Sequence, residues 1–277
     1  MSFVAYVTHG GGPLPLLDDP GHRELVASLR ELAGAAPRPR AILLVSAHWE
    51  APVASFTGGA HPQLVYDYYG FPEPAYHLRY PAPGDPALAA RAASLLHESG
   101  IEARVDSERG FDHGLFVPLS LMYPQADVPV VEMSLLDSLD AGAHWCLGRA
   151  LAPLVAQGVA VIGSGSSFHN MAVLMGRGDP PGAWNANRDF EQWLWRTSQN
   201  EDWDEEERGK QWCAWRQAPG GTFSHPREEH LLPASRRTGY SGGAWARWRS
   251  VPCCGGQGTE RTQSMTPMAS TPKKPMV

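Results

Sequence analysis

Three histidines in this 277-residue chain stand just beyond apolar runs that have the length of buried strands. VAYVT precedes His9, ILLVSA precedes His48, and VAVIG runs through SGSSF to His169. In an open α/β sheet, ligands bind beyond the carboxyl ends of the strands. If these three strands are neighbours, their imidazoles converge, and imidazole is a preferred ligand of Zn, Fe, Cu and Ni. One such histidine alone is usually structural, whereas three at corresponding positions predict a metal site.

The segment HPREEHLLP, residues 225–233, holds a second set of potential ligands: His225, Glu228, Glu229 and His230. Proline followed by acidic residues is typical of a helix start, so we predict a helix here. Neighbouring residues of a helix point in different directions, so only one of Glu229 and His230 would bind a metal easily. Glu50 is a further carboxylate candidate, because a strand places it on the same face as His48. A capped surface helix without ligands is the alternative for this segment.

The turn RGFDHG contains an adjacent Asp112 and His113. A histidine beside an aspartate in a glycine-flanked turn can act as an oriented acid/base or bind substrate by a hydrogen bond. A purely structural turn held by Asp112 is the alternative. Five further histidines have no evident partner in the sequence, and we predict surface or structural positions for them: His22, His61, His77, His97 and His144.

Other catalytic motifs match poorly. THGGGP lacks the Gly-Lys-Ser/Thr of a phosphate-binding loop. GSGSSF has a phenylalanine where a dinucleotide-binding fingerprint has its third glycine. SGSSF is not the G-x-S-x-G of a hydrolase nucleophile elbow, which argues against Ser164, Ser166 or Ser167 as a nucleophile. These comparisons leave the histidines as the main candidates for chemistry.

Apolar strand patterns alternate with helical spacing along most of the chain. This alternation predicts a single α/β domain with a mixed, largely parallel central sheet flanked by helices. The predicted strands are 3–7, 41–47, 102–105, 128–135 and 159–163. The predicted helices are 21–33, 86–99, 143–156 and 188–197, with a buried helix after RGFDHG and another that begins within 201–207.

Residues 57–84 interrupt this alternation, and their content of Gly, Pro and Tyr predicts a long functional loop or lid. The aromatic side chains of this loop are candidates to line a pocket and to stack on an aromatic ring. They are Tyr66, Tyr68, Tyr69, Phe71, Tyr76 and Tyr80. We expect at least half of them only to pack the loop against the sheet.

The bulk composition gives no sign of a nucleic-acid or membrane partner, because the formal net charge is −6 and the hydrophobic content is 43%. The four cysteines form no C-x-x-C pair, which favours a reducing compartment. The N-terminal residues lack the pattern of a signal peptide, and no apolar run reaches the length of about 18 residues that a membrane-spanning helix needs. We therefore expect a cytoplasmic protein.

The composition changes after residue 233. The segment 234–277 contains no Leu, Ile or Phe, and it holds seven Lys or Arg and one Glu. Such a segment has too little apolar surface to form a core. We predict a folded domain over 1–233 and a disordered tail over 234–277.

Six motifs, taken in this order, resemble the LigB-type class III extradiol ring-cleavage dioxygenases, and most closely the 4,5-DOPA extradiol dioxygenase-like group. They are THGGGP, SAHWE, YDYYGFP with YPAPG, RGFDHG, GSGSSFHN and HPREEHLLP. The resemblance covers about residues 3–233. In that family HLLP continues into a further apolar segment, which ASRRTGYSGG does not resemble.

The resemblance implies one non-haem divalent metal, with Fe(II) expected for activity and Zn(II) as the other ion to consider. The implied ligands are His9, His48 and His230. His169 would be the acid/base beside the metal, and His113 would contact substrate or oxygen. We also predict three residues for substrate binding: Asp112, Tyr69 and Phe71.

The implied reaction is the opening of a catechol-type ring with O₂, so the expected partners are a small aromatic diol and O₂. The motifs predict neither the particular catechol nor the oligomeric state. Two alternatives stay open at this point. One is a zinc-dependent hydrolase that uses the same histidines, and the other is a binding homologue without activity.

Overall fold

The computed structural model describes residues 2–177 and 182–235. A six-stranded sheet lies at its centre, in the order β1-β6-β2-β5-β3-β4. The strands are Val4–Thr8 (β1), Ala41–Ala51 (β2), Ala54–Thr57 (β3), Ala103–Asp106 (β4), Val130–Leu136 (β5) and Val159–Gly165 (β6). The predicted strands are confirmed with shifts of a few residues at their ends. The short strand β3 was not predicted.

The four strands β1, β6, β2 and β5 run parallel, whereas β3 pairs with β5 in the antiparallel sense. The predicted mixed, largely parallel α/β sheet is therefore confirmed. The order also places the three histidine-bearing strands side by side, because β6 lies between β1 and β2. Their ends are level, since Gly165 pairs with Thr8 and Ser164 pairs with Ser46.

Helices cover both faces of the sheet. They are Arg23–Ala35 (α1), Pro86–Glu98 (α2), His113–Met122 (α3), Ala141–Ala150 (α4), Pro153–Ala156 (α5), Met171–Leu174 (α6), Ala183–Gln199 (α7), Glu205–Cys213 (α8) and Gly221–Ser224 (α9). The single helix predicted over 143–156 is divided into α4 and α5. The division follows from Pro153, which has no N–H to continue the first helix and is favoured at a helix start.

Strand β2 shows why the sheet is rigid at its centre. Ala41, Leu43 and Val45 pack on one face with side chains of α2, α4 and α8. Ile42 and Leu44 pack on the other face with side chains of α1 and α3. Burial on both faces explains the continuous apolar run, which a strand with one face in water would not have.

The long loop between β3 and α2 is irregular, as predicted, apart from a 3-10 helix over Glu73–His77. Two of its tyrosines bond within the loop. The hydroxyl of Tyr66 donates to Leu78 O at 2.7 Å, and that of Tyr68 donates to Ala75 O at 2.6 Å. Both rings also pack against Phe116 of α3. These contacts hold the loop over one end of α3, beside the ends of β1 and β2.

The helix predicted from HPREEHLLP is wrong. Residues 226–231 form bends and a turn, and a 3-10 helix follows over Leu232–Ser235. The acidic side chains bind other groups instead of capping a helix, with Glu228 on Arg216 and Glu229 on two histidines. The backbone of this segment packs against β6.

The predicted tail, 234–277, lies outside the described residues from position 236 onward. Ala234 and Ser235 belong to the 3-10 helix, so regular structure extends two residues past the predicted boundary. Among the described helices, none combines the length and the apolar character needed to cross a bilayer.

Two glycines allow the segment around His230 to lie directly against β6. A β-carbon at Gly165 would lie 2.0 Å from His230 O, and one at Gly163 would lie 2.0 Å from Pro233 O. Ser166 N donates to His230 O at 3.1 Å, and the hydroxyl of Tyr6 donates to the same oxygen at 2.5 Å. The glycines of GSGSSF thus serve close backbone packing rather than phosphate binding.

We expect Gly165→Ala to destabilise the fold by about 1–3 kcal/mol, because the added methyl overlaps with backbone that has no room to move. Gly34→Ala is the matched control, since Gly34 is exposed within α1 and a β-carbon there meets nothing within 4 Å. That change should leave stability unchanged or raise it by up to about 1 kcal/mol. Urea unfolding measures both. Equal stability of the two variants would contradict the close packing of His230 on β6.

Candidate metal centre

Three histidines from distant parts of the chain meet at the ends of β1 and β2. His9 follows β1 directly, His48 lies near the end of β2, and His230 lies in the turn after α9. The two Nε2 atoms of His9 and His48 are 3.0 Å apart. One ring nitrogen of each of the three histidines lies within 4.8 Å of the others. Two nitrogens on one metal at bonds of about 2.0–2.1 Å lie at most about 4 Å apart, so small side-chain rotations complete the set.

The outer nitrogens of two of these rings are fixed by hydrogen bonds. His9 Nδ1 is 2.9 Å from Ser164 Oγ, and the Ser164 hydroxyl donates to Gly114 O, so it accepts from His9. His230 Nδ1 donates to Glu229 Oε1 at 3.1 Å. Each bond places the proton on Nδ1 and leaves the Nε2 lone pair free for a metal.

Burial keeps all three imidazoles neutral near pH 7. It lowers the pKa of His9 well below the ordinary value, and positive charge on the neighbouring histidines adds to this effect. Burial likewise lowers the pKa of His48 to about 4. For His230, burial lowers the pKa to about 3, although the hydrogen bond to Glu229 opposes the shift. Neutral imidazoles are the donors that a Zn or Fe ion prefers, and two of these three have an Nε2 lone pair free for a metal, so these residues fit a metal.

Glu229 is shared by His230 and His169. Its Oε1 accepts from His169 Nδ1 at 2.9 Å and from His230 Nδ1 at 3.1 Å. The two rings stack with centroids 3.4 Å apart. Burial alone would raise the pKa of Glu229, but the hydrogen bonds from the two histidines outweigh it and hold the pKa well below the usual range. Glu229 is therefore an ionised acceptor, and His169 keeps a free Nε2.

His113 lies beside His48. Its ring centroid is 3.9 Å from that of His48 and 5.3 Å from that of His9. Asp67 Oδ1 accepts from both His113 Nδ1, at 2.8 Å, and His113 N, at 3.0 Å. Burial raises the pKa of Asp67, but the hydrogen bonds from His113 outweigh this effect and lower it overall. Asp67 thus fixes the His113 ring with its Nε2 free.

The three residues predicted to bind substrate lie at different depths. Asp112 is completely buried, and its carboxylate accepts from Ser46 Oγ at 2.7 Å and from Arg109 at 3.1 Å. Phe71 is half-buried with its ring against Gly12, where a β-carbon would lie 2.9 Å from the ring. The side chain of Tyr69 is 92% exposed.

The other carboxylate and histidine candidates have structural partners. Glu50 forms a two-pronged pair with Arg227, with both N–O distances 2.7 Å, and it does not belong to the histidine cluster. His225 is fully buried and donates from Nε2 to Ser167 O at 2.9 Å. That bond holds the loop that leads to His169.

His22 was expected to be a surface or structural residue, and the structural alternative is confirmed, although its partners were not predicted. His22 is buried, and its Nε2 accepts from Gly11 N at 3.0 Å while its Nδ1 donates to Asp19 at 2.6 Å. It therefore anchors the glycine turn that follows His9. Sequence reasoning missed the role of Asp67. It lies within the tyrosine-rich loop, and no spacing in the sequence relates it to His113.

The family model for the catalytic LigB subunit of aromatic ring-opening dioxygenase matches residues 5–225, which include His9, His48, His113 and His169. The chain belongs to the LigB family. As a LigB enzyme it is an extradiol dioxygenase that opens an aromatic ring with O₂, and the predicted family membership is confirmed. The match ends before His230, which is joined to the site by the packing on β6.

Named relatives support the same membership. The chain is 41% identical to the dioxygenase tasH of Hapsidospora irregularis, over 83% of this chain and 75% of that protein. It is 37% identical to a 4,5-DOPA dioxygenase extradiol of Beta vulgaris, over 86% of both chains. A crystal structure of an uncharacterised Escherichia coli K12 protein superposes with a TM-score of 0.61 at 33% identity, covering 76% of this chain and 79% of that one.

Glu229→Gln should weaken metal binding by the LigB site about 10–100-fold, because the loss of the carboxylate charge makes His230 a poorer donor and leaves its orientation less fixed. Glu228→Gln is the matched control, since Glu228 lies in the same turn but bonds to Arg216 at 2.7 Å. Competition titration with a chromophoric chelator and Zn(II) gives both affinities. Equal affinities of the two variants would contradict the role of Glu229.

Proposed function

We propose that this LigB chain binds one Fe(II) through His9, His48 and His230 and cleaves a catechol at the ring bond beside the diol. The observation that carries the proposal is the meeting of three neutral imidazoles at the ends of β1 and β2, with two Nε2 atoms 3.0 Å apart. Bound Fe(II) would lower the pKa of a catechol hydroxyl and supply the redox chemistry for O₂. One ring carbon–carbon bond breaks, and both atoms of O₂ are incorporated into a hydroxymuconic semialdehyde-type product.

We propose His169 as the base that takes a proton from the catechol. Its Nδ1 proton is held by Glu229, so its Nε2 can accept the proton from the hydroxyl. The imidazolium that results is stabilised by the ionised Glu229 carboxylate. His169 is also the more exposed member of the stacked pair with His230, with 23% of its side chain accessible, which a residue that meets substrate requires.

His113 is proposed to contact substrate or oxygen. Its Nδ1 proton is held by Asp67, which leaves Nε2 to accept a hydrogen bond. The ring of Tyr68 meets that of His113 edge-on, with centroids 5.7 Å apart. His113 therefore connects the histidine cluster with the aromatic loop.

The aromatic loop is the proposed binding surface for the ring of the substrate. Phe71 is in position to cover it, because its ring lies against the glycine turn that follows His9. Tyr69 would reach the substrate only after a movement of the loop. For Asp112 we propose an indirect role through Ser46 and the start of α3. The relatives named 4,5-DOPA dioxygenase extradiol make DOPA the first catechol to test.

Consumption of O₂ with bound Fe(II) distinguishes the proposed dioxygenase from a zinc-dependent hydrolase that uses the same histidines. We expect protein loaded anaerobically with Fe(II) to consume about one O₂ per ring opened across a panel of catechols that includes DOPA. The Zn(II)-loaded protein should consume none, because Zn has no redox chemistry. An oxygen electrode and the absorbance of the ring-opened product measure the reaction, and His48→Ala is the control. Equal turnover with Zn(II) would refute the proposal.

We expect His169→Ala to lower kcat by about 10²–10⁴-fold, the usual contribution of a positioned base, while it retains most of the bound iron. His77→Ala is the control, because the side chain of His77 is 68% exposed and bonds to Glu73. Stopped-flow kinetics and iron analysis on the same preparations separate the two effects. A His169→Ala protein that loses its iron but keeps its rate per iron would show that His169 is not the base.

A further inference from the structure

Two completely buried carboxyl groups lie beneath the site. Asp112 stands directly before α3, and Glu132 is part of β5, and both side chains are 0% exposed. Among the described residues, Arg109 is the one cation paired with either carboxyl group, with a nitrogen 3.1 Å from Asp112 Oδ2. One guanidinium balances only one negative charge. A second buried carboxylate without a partner of opposite charge would be strongly destabilised, so it is expected to hold a proton.

The hydrogen bonds indicate which of the two holds the proton. Both oxygens of Asp112 already accept, one from Ser46 Oγ at 2.7 Å and the other from Arg109. Glu132 Oε2 accepts from Asp112 N at 3.3 Å, whereas Glu132 Oε1 has no donor among the described residues. Because Asp112 N approaches Glu132 Oε2, the two residues are adjacent, and a proton on Glu132 would let its side chain donate to the Asp112 carboxylate. Burial, and then the charge of Asp112, raise the pKa of Glu132 well above its usual value.

The pair is linked both to His48 and to the start of α3, where His113 lies. The Ser46 hydroxyl that donates to Asp112 also accepts from His48 N at 3.1 Å. Asp112 O accepts from Leu115 N and Phe116 N in the first turn of the helix that begins at His113. The Asp112 carboxylate therefore supports the backbone of β2 at His48 through Ser46, and the backbone carbonyl of the same residue supports the first turn of α3.

We propose that Glu132 is a neutral carboxylic acid that donates a hydrogen bond to Asp112 and so positions His48 and His113. Glu132 contacts neither metal nor substrate, and it is a positioning residue. The positioning role rests on the proposed function, whereas the protonation of Glu132 does not. A glutamine at this site keeps a neutral group with hydrogen-bond donors, whereas a methionine of similar size has none.

The experiment compares Glu132→Gln with Glu132→Met. The infrared spectrum of the wild type at pH 7 should contain the carbonyl stretch of a protonated carboxylic acid, shifted in D₂O and absent from Glu132→Gln. Glu132→Gln should keep Zn(II) affinity and kcat within about twofold, and Glu132→Met should lose at least about tenfold in Zn(II) affinity, as for other partners that orient ligands. If Glu132→Met does not fold, the infrared band and Glu132→Gln still decide.

Two results would overturn the proposal. One is an infrared spectrum in which wild type and Glu132→Gln have the same carboxylic-acid region. The other is a Glu132→Gln protein with Zn(II) affinity reduced as much as that of Glu132→Met, which would mean that the group acts as a charged carboxylate. The band and the Zn(II) affinity are measured without ring cleavage. A wild type that opens no catechol would therefore count against the proposed function and not against the state of Glu132.

Discussion

The backbone of residues 230–233 packs against β6 at Gly163 and Gly165. The contact is so close that a β-carbon on either glycine would overlap with that backbone. This contact brings His230 to His9 and His48, across more than 180 positions of sequence. Strands β1 and β2 alone supply two of the three proposed ligands, and the third imidazole must come from elsewhere in the chain. The carbonyl oxygen of His230 accepts hydrogen bonds from Tyr6 and Ser166. These bonds fix the backbone of His230 next to β6.

The three proposed ligands share one electrostatic arrangement. The imidazoles are buried and neutral, and they would repel one another if they carried protons. The negatively charged groups lie outside these rings. Glu229 accepts hydrogen bonds from His230 and His169, and Asp67 accepts one from His113. Such outer carboxylates fix ring orientation and raise the basicity of the free nitrogen. In the proposed mechanism the same arrangement prepares His169 to accept a proton, so metal binding and acid/base chemistry would both depend on the Glu229 carboxylate.

The strands that bear His9, His48 and His169 were predictable because burial on both faces produces long apolar runs that end at polar residues. The predicted helix at HPREEHLLP was wrong because its acidic side chains bond to Arg216, His169 and His230 instead of helix N–H groups. The roles of Asp67 and Glu132 depend on contacts between distant segments, and no local pattern encodes them. The glycines of GSGSSF were visible in the sequence, but their purpose became clear only with the segment that packs on them.

The proposed function depends on a single metal held by His9, His48 and His230. Crystals grown anaerobically with Fe(II) and measured at the iron absorption edge test it most directly. We expect one anomalous peak, at about 2.0–2.2 Å from a ring nitrogen of each of the three histidines. A peak bound by Glu229 and His169 in place of His9 and His48 would contradict it, as would the absence of stoichiometric iron from the cluster.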